Sequence, residues 1–234
     1  MKKSIAIIGG GASALMLASN LDTNKFDIII YERNFAPGRK FLVAGDGGFN
    51  LTHSEVPSLL VNRYSPSSFF FPLIEKFNNI DFQRWLDSIG IPTYIGSSKR
   101  VFPKKGMKPV TVLNTILNLI EQRNIPIKTQ HLWKGWSSRN ELIFENQQNT
   151  LFVKPDITVF SLGGASWKIT GSDGNWISHF KEKGITIIPF QASNCAYEIE
   201  WPSNFIEVAE GKSLKNISLT CNTLEKKGEV VITK

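Results

Sequence analysis

The first 32 residues constrain this chain most: an apolar run, a glycine turn, an amphipathic stretch, and a second apolar run ending in a carboxylate. Ser4 to Ile8 is β-branched and almost wholly apolar, the pattern of a central parallel strand covered on both faces. It runs directly into Gly9-Gly10-Gly11. Over Ala12 to Leu21, Ala14, Leu17, Ala18 and Leu21 recur at the spacing of one helical face. Asp27 to Tyr31 reads as a second buried strand. Parallel strands joined by a helix form a right-handed βαβ unit.

Gly9 to Ala14 fits the pattern G-x-G-x-x-G/A, with alanine in the third place. Gly9 permits the tight strand-to-helix turn, Gly11 lets a diphosphate approach the backbone, and Ala14 keeps the helix close to the strand. The helix start at Ala12 and Ser13 offers free N–H groups and a partial positive charge to phosphate. Glu32 ends the second strand, at the place where a carboxylate accepts hydrogen bonds from both ribose hydroxyls of an adenosine. That carboxylate repels the extra phosphate of NADP. The unit therefore predicts a dinucleotide site; a glycine turn without a ligand is the ordinary alternative.

Downstream, Phe35 to Thr52 is glycine-rich and aperiodic, a long loop of the kind that usually carries function. Residues 65–98 read as an inserted, mostly helical piece, in which Phe82, Trp85, Leu86 and Ile89 share one face and Gly90 stands at the stop. Pro109 to Arg123 is the clearest helix, with a stripe of Leu113, Ile116, Leu117 and Ile120. Ile125 to Thr129 is a short strand. Leu132 to Trp136, Glu141 to Glu145 and Thr150 to Val153 form a meander joined by polar turns. Ile157 to Leu162 is another buried strand, ending at Gly163-Gly164, and Trp176 to Lys183 is a short helix. After Pro189, strands at Cys195 to Trp201, Ile217 to Cys221 and Glu229 to Thr233 suggest a second unit. The expected organisation is a Rossmann-like domain over 1–190 and the start of a β-rich insert domain over 191–234.

A meander between the third and last parallel strands is the order of a glutathione-reductase-type FAD domain, whereas a plain NAD domain continues with βα units. Gly163-Gly164 returns to the sheet centre near the phosphates, unless it is a simple turn. In Pro37-Gly38-Arg39-Lys40, Arg39 is placed to pair with the diphosphate and Lys40 to add a second charge; two solvated basic residues are the alternative. By positional analogy, main-chain groups near Leu132 meet the adenine.

The chain has 234 residues and a net charge of +7, without a dense basic block. The charge is mild, so nucleic acid is not an expected partner. Its two cysteines, Cys195 and Cys221, form no CxxC and no metal-ligand spacing, which argues against a disulfide-reducing flavoenzyme and against a metal site. The first apolar run is too short for a signal peptide or a membrane span, so a cytoplasmic location is expected.

Gly9 to Ala14, Glu32, Pro37 to Leu42, Gly45 to Asn50, Arg100 to Pro103 and Leu162-Gly163-Gly164 occur in an order that resembles the BaiN-like (YhiN-type) NAD(P)/FAD-dependent oxidoreductases. Within that family, Gly47-Gly48-Phe49-Asn50-Leu51-Thr52-His53-Ser54-Glu55 resembles a subgroup of flavoproteins with a GGxNxTHSE-like loop, where many relatives carry Arg-Cys-Asn. The departure removes a redox cysteine. The resemblance implies FAD as cofactor, NAD(P)H as a donor, a small-molecule substrate, and cofactor contacts from Gly45, Gly48 and Asn50. It also implies a further C-terminal stretch that completes the flavin site. On that expectation the chain is truncated and by itself binds FAD weakly or not at all.

His53, beside Thr52 and Ser54, is the candidate to relay a proton near the flavin, against the ordinary role of a loop histidine holding a structural hydrogen bond. Lys99 to Pro103 either faces the substrate or anchors the insert. Trp133, Trp136, Trp167 and Trp176 read as packing residues. The expected function is a flavin-dependent oxidoreductase. A nucleotide-binding module without turnover and an RNA-modifying flavoenzyme are the other readings.

Overall fold

A computed structural model describes residues 1–43, 49–166, 168–191, 198 and 200–232. Gly45, Gly47, Gly48, Trp167 and Cys195 lie outside the described residues, as does most of the strand expected at 195–201.

β1 (Lys3–Ile8), α1 (Ala12–Asn20) and β2 (Phe26–Tyr31) form the predicted βαβ unit, with Ile5 opposite Ile28 and Ile7 opposite Ile30 in parallel register. The glycine-rich stretch that follows contains one helical turn, α2 (Arg39–Leu42), entered through Gly38 in the left-handed region. Next come β3 (Thr52–His53), α3 (Pro57–Leu60), α4 (Ser67–Lys76), α5 (Asn79–Ser88), β4 (Thr93–Ile95) and β5 (Arg100–Pro103). The helical insertion thus begins earlier than expected, and its end pairs into a small antiparallel sheet of order β3-β5-β4. α5 starts at a capping box between Asn78 and Asp81. It stops at Gly90 (φ 83°), where the Ile91 N–H returns to the Leu86 carbonyl.

α6 (Pro109–Gln122) buries Val112, Leu113, Ile116 and Ile120, close to the predicted stripe. β6 (Ile127–Lys128) joins β2, and the meander of β7 (Leu132–Trp136), β8 (Leu142–Glu145) and β9 (Thr150–Val153) precedes β10 (Ile157–Phe160). The parallel sheet has order β10-β1-β2-β6, so the meander stands between its third and last strands as expected. α7 (Ile177–Glu182) follows. α8 (Ser203–Ala209) was not foreseen, and β11 (Ser213–Cys221) and β12 (Leu224–Val231) form an antiparallel hairpin longer than its sequence suggests.

The core lies on both faces of the parallel sheet, because successive strand side chains point opposite ways. Ile5, Ile7, Ile28 and Ile30 pack on α1, α5 and α6; Ala6, Ile8 and Tyr31 pack on Trp133, Leu142 and Phe144 of the meander. Each fully buried aliphatic contributes roughly 1.5–3 kcal/mol. This three-layer packing holds the C-terminal ends of β1, β2 and β10 side by side. Arg100 pairs with Glu229 of β12 at 3.1 Å. Among the described residues, no helix is long and apolar enough to cross a membrane.

Candidate functional site

The ends of β1, β2 and β10 open into a cavity of about 820 Å³, bounded also by the start of α1, α2, β7 and the loop after β10. In open α/β sheets, ligands bind at such a crevice beyond the carboxyl ends of the strands.

Gly9 has φ 98°, and a Cβ there would fall on the Ser161 carbonyl, 2.9 Å from its carbon. The turn therefore needs glycine for its dihedral and for the close approach of the chain beyond β10. Gly10 is demanded by packing: its Cβ would stand 2.9 Å from Glu32 Oε2 and 3.1 Å from the Pro37 ring. Gly11 is different. It has φ −80°, no heavy atom lies within 4 Å of where its Cβ would be, and no side chain caps the helix it begins. The N-terminus of α1 thus faces open space. Ala12 and Ser13 line the cavity, whereas Ala14 is fully buried against the sheet, as its packing role requires.

Glu32 is only 7% exposed. Its Oε2 accepts the Gly10 N–H at 2.6 Å, and its Oε1 accepts the Asn34 N–H and side-chain amide at 2.8 and 2.6 Å. A carboxylate offers about four acceptor positions, so these bonds leave one on Oε2. Gly38 N–H donates to the Gly10 carbonyl at 2.9 Å, which docks the basic segment beside the glycine turn. Arg39 holds Asn34 Oδ1 at 3.1 Å and lies over the Phe35 ring. Lys40 Nζ donates to Ser166 Oγ at 2.8 Å, and Ser172 Oγ stands 3.4 Å away. Leu132 and Gly163 line the cavity; Gly164 accepts from Ser172 Oγ through its carbonyl.

Three predicted residues are not among those that line the cavity: Gly164, next to the lining Gly163, and two others, Asn50 and His53. Asn50 is exposed and is not among the lining residues. His53 lies on β3, where its Nδ1 accepts the Glu55 N–H at 3.1 Å and its carbonyl accepts from Asn79. It does not line the cavity.

The structure adds residues that the sequence did not single out for the site. Tyr31 stacks on Phe144 at 4.1 Å, and burial pushes its phenol up, so it stays protonated. Arg33, Asn34, His131, His179, Thr170, Gly171, Ser172, Asp173 and Asn175 also line the cavity. The sequence signal was the small polar run Thr170-Gly171-Ser172-Asp173-Gly174-Asn175, a few residues beyond Gly163-Gly164. Among the described residues, four cationic side chains (Arg33, Arg39, Lys40, Lys134) and two carboxylates (Glu32, Asp173) line the cavity. That balance suits a dianionic diphosphate. No cluster able to hold a metal is found among the described residues.

The fold recurs in solved structures. A crystal structure of Thermovibrio ammonificans THI4 superposes with a TM-score of 0.52 at 13% identity, covering 79% of this chain and 63% of that one. A flavocytochrome c3 fumarate reductase in its open conformation gives 0.53 at 13% identity, covering 70% and 34%. The chain thus spans less than two thirds of the length of either. No curated protein matches it. A family model described as HI0933-like protein Rossmann domain matches residues 3–230, and the chain belongs to that family.

Proposed function

We propose that the chain binds FAD in this cavity and serves a flavin-dependent oxidoreductase that takes electrons from NAD(P)H or oxidises a small organic substrate. One observation carries the reading: an uncapped helix N-terminus, an open Gly11 and a buried, partly satisfied carboxylate meet in one cavity. These groups fit a diphosphate and a ribose. The cavity volume lies within the range of about 300–1,000 Å³ usual for ligand sites.

In this assignment the N–H groups of residues 11–13 and the charges of Arg39 and Lys40 hold the diphosphate. Glu32 uses its remaining acceptor position for the adenosine ribose. The main chain at Leu132 meets the adenine, and Gly163 lets the backbone run close to the diphosphate. When bound, FAD supplies the hydride and electron transfer. The chain binds and orients it, and Tyr31 keeps the cavity wall neutral. His53 takes the structural role, holding the turn after β3 with Asn79.

Calorimetric titration with ADP, FMN and FAD tests the proposal. ADP and FAD should bind, and FMN, lacking the adenosine half, should not. FMN binding as tight as FAD, or no binding of ADP, refutes it. Under anaerobic conditions NADH or NADPH should bleach the spectrum of bound FAD if a nicotinamide is the donor; a spectrum unchanged by both removes that branch and leaves oxidation of a small organic substrate or a nucleotide-binding module without turnover.

A further inference from the structure

Arg33 directly follows Glu32, and both line the cavity. An arginine close to the ribose acidic residue is the usual means by which dinucleotide folds accept a 2′-phosphate. Here that guanidinium is already engaged. Arg33 Nη1 lies 3.0 Å from Asp173 Oδ2, and its Nη2 donates to the Gly171 carbonyl. Asp173 comes from the loop beyond β10, 140 residues along the chain. Gly171 (φ 94°) brings that loop in so closely that a Cβ would stand 3.0 Å from both Arg33 Nη2 and Asn34 Nδ2. Asp173 also accepts the Asn175 N–H at 3.1 Å.

We propose that Asp173 is a specificity-determining residue: by pairing with Arg33 it withdraws the cation that would otherwise accept a 2′-phosphate, and with Glu32 it closes the ribose end to NADP-type nucleotides. The inference rests on the assignment of the adenosine ribose to Glu32. The other lining cations have other tasks: Arg39 and Lys40 are assigned to the diphosphate, and Lys134 pairs with Glu145 at 3.5 Å. Burial pushes the Asp173 carboxyl up, but the Arg33 hydrogen bond, the Asn175 N–H and the Arg33 charge outweigh it, and the net shift is downward. Asp173 is therefore ionised at neutral pH and available to Arg33. A 2′-phosphate brought here meets two carboxylates and a neutralised guanidinium. Without the Asp173 charge, Arg33 presents a fork suited to bidentate phosphate binding.

The test is calorimetric titration of the wild type, Asp173→Asn, Asp173→Glu, Arg33→Ala and the Arg33→Ala/Asp173→Asn double variant with ADP-ribose and its 2′-phosphorylated form. Wild type and Asp173→Glu should prefer ADP-ribose. Asp173→Asn should raise the relative affinity of the 2′-phosphorylated form about tenfold or more, the scale of one charge-assisted pair. The double variant should lose that gain. A loop merely loosened by the substitution weakens both ligands alike, so an unchanged ratio in Asp173→Asn overturns the proposal. Arg33→Ala gives an independent check if Asp173→Asn does not fold. It should leave the ratio near the wild-type value, and a marked fall for the 2′-phosphorylated form would show that Arg33 already reads phosphate, which also overturns the proposal. Failure of the wild type to bind ADP-ribose overturns the ribose assignment itself, and this inference with it.

Discussion

Substituting alanine at Gly9 and at Gly11 separates the two tasks of the glycine turn. At Gly9 the new Cβ meets the Ser161 carbonyl, with the carbon at 2.9 Å, and the backbone is held at φ 98°. The obstacle is backbone pinned between β1 and β10, so it has little freedom to retreat. A strained dihedral costs about 1–3 kcal/mol and overpacking about 1–3 kcal/mol more, so Gly9→Ala should destabilise the fold by roughly 2–6 kcal/mol. Against a total stability of about 5–15 kcal/mol, that is a large fraction. At Gly11 the dihedral suits any residue and the Cβ enters open space, so Gly11→Ala should cost less than about 1 kcal/mol, mainly through poorer N-capping. Its methyl instead occupies the diphosphate cradle. Urea unfolding and ADP titration read the two effects. Gly9→Ala should lower the urea midpoint by more than about 1 M. Gly11→Ala should keep the midpoint and lose about tenfold or more in ADP affinity. Equal midpoints for Gly9→Ala and wild type, or undiminished ADP binding by Gly11→Ala, would refute this division of roles.

Three further outcomes follow from the geometry. Glu32→Gln replaces one acceptor oxygen with a donor in front of N–H groups of Gly10 and Asn34, an unmet contact worth about 1–3 kcal/mol, so both stability and ADP affinity should fall; calorimetry and thermal unfolding measure them. The Arg63 hydrogen bond, together with the charges of Arg63, His53 and Lys99, holds the Glu55 carboxyl below its ordinary value of 4.5 despite burial. A lowered folded-state pKa stabilises the fold above the ordinary value and ceases to as pH falls through the lowered one. The stability difference between wild type and Glu55→Gln in acid-range urea unfolding should therefore be level above about pH 5 and shrink below it. Ile7→Ala, at 0% exposure in the central strand, should cost about 2–5 kcal/mol in the same assay.

The parallel half of the fold is legible because its signals are local. Ile5 and Ile7 on one face and Ala6 and Ile8 on the other make β1 a continuous apolar run, which no exposed strand would show. The hairpin of β11 and β12 is harder to read. Its second strand runs through Glu225-Lys226-Lys227-Gly228, which has the composition of a loop. Those residues are exposed, so no core selects an alternation of polar and apolar positions. α8 is short and buries only Ala209, so its helical period is too faint to identify.

The site divides along a similar line. Gly9, Gly11 and Glu32 belong to one βαβ unit, whose spacing places them together. Arg33 with Asp173, and Lys40 with Ser172, meet only because the chain returns after β10 across the ends of β1 and β2. Sequence separation hides the pairing, but topology does not hide the destination. A parallel strand delivers whatever follows it to the carboxyl edge of its sheet. A short, polar, glycine-bearing run just beyond the last such strand is therefore carried to the crevice where the first glycine turn already stands. Thr170 to Asn175 meets that description: Gly171 and Gly174 both take positive φ, and the chain there bends tightly enough to face Arg33 and Asn34. The charge on Asp173 then has a meaning that composition cannot supply, because its effect depends on which cation waits at the end of the neighbouring strand.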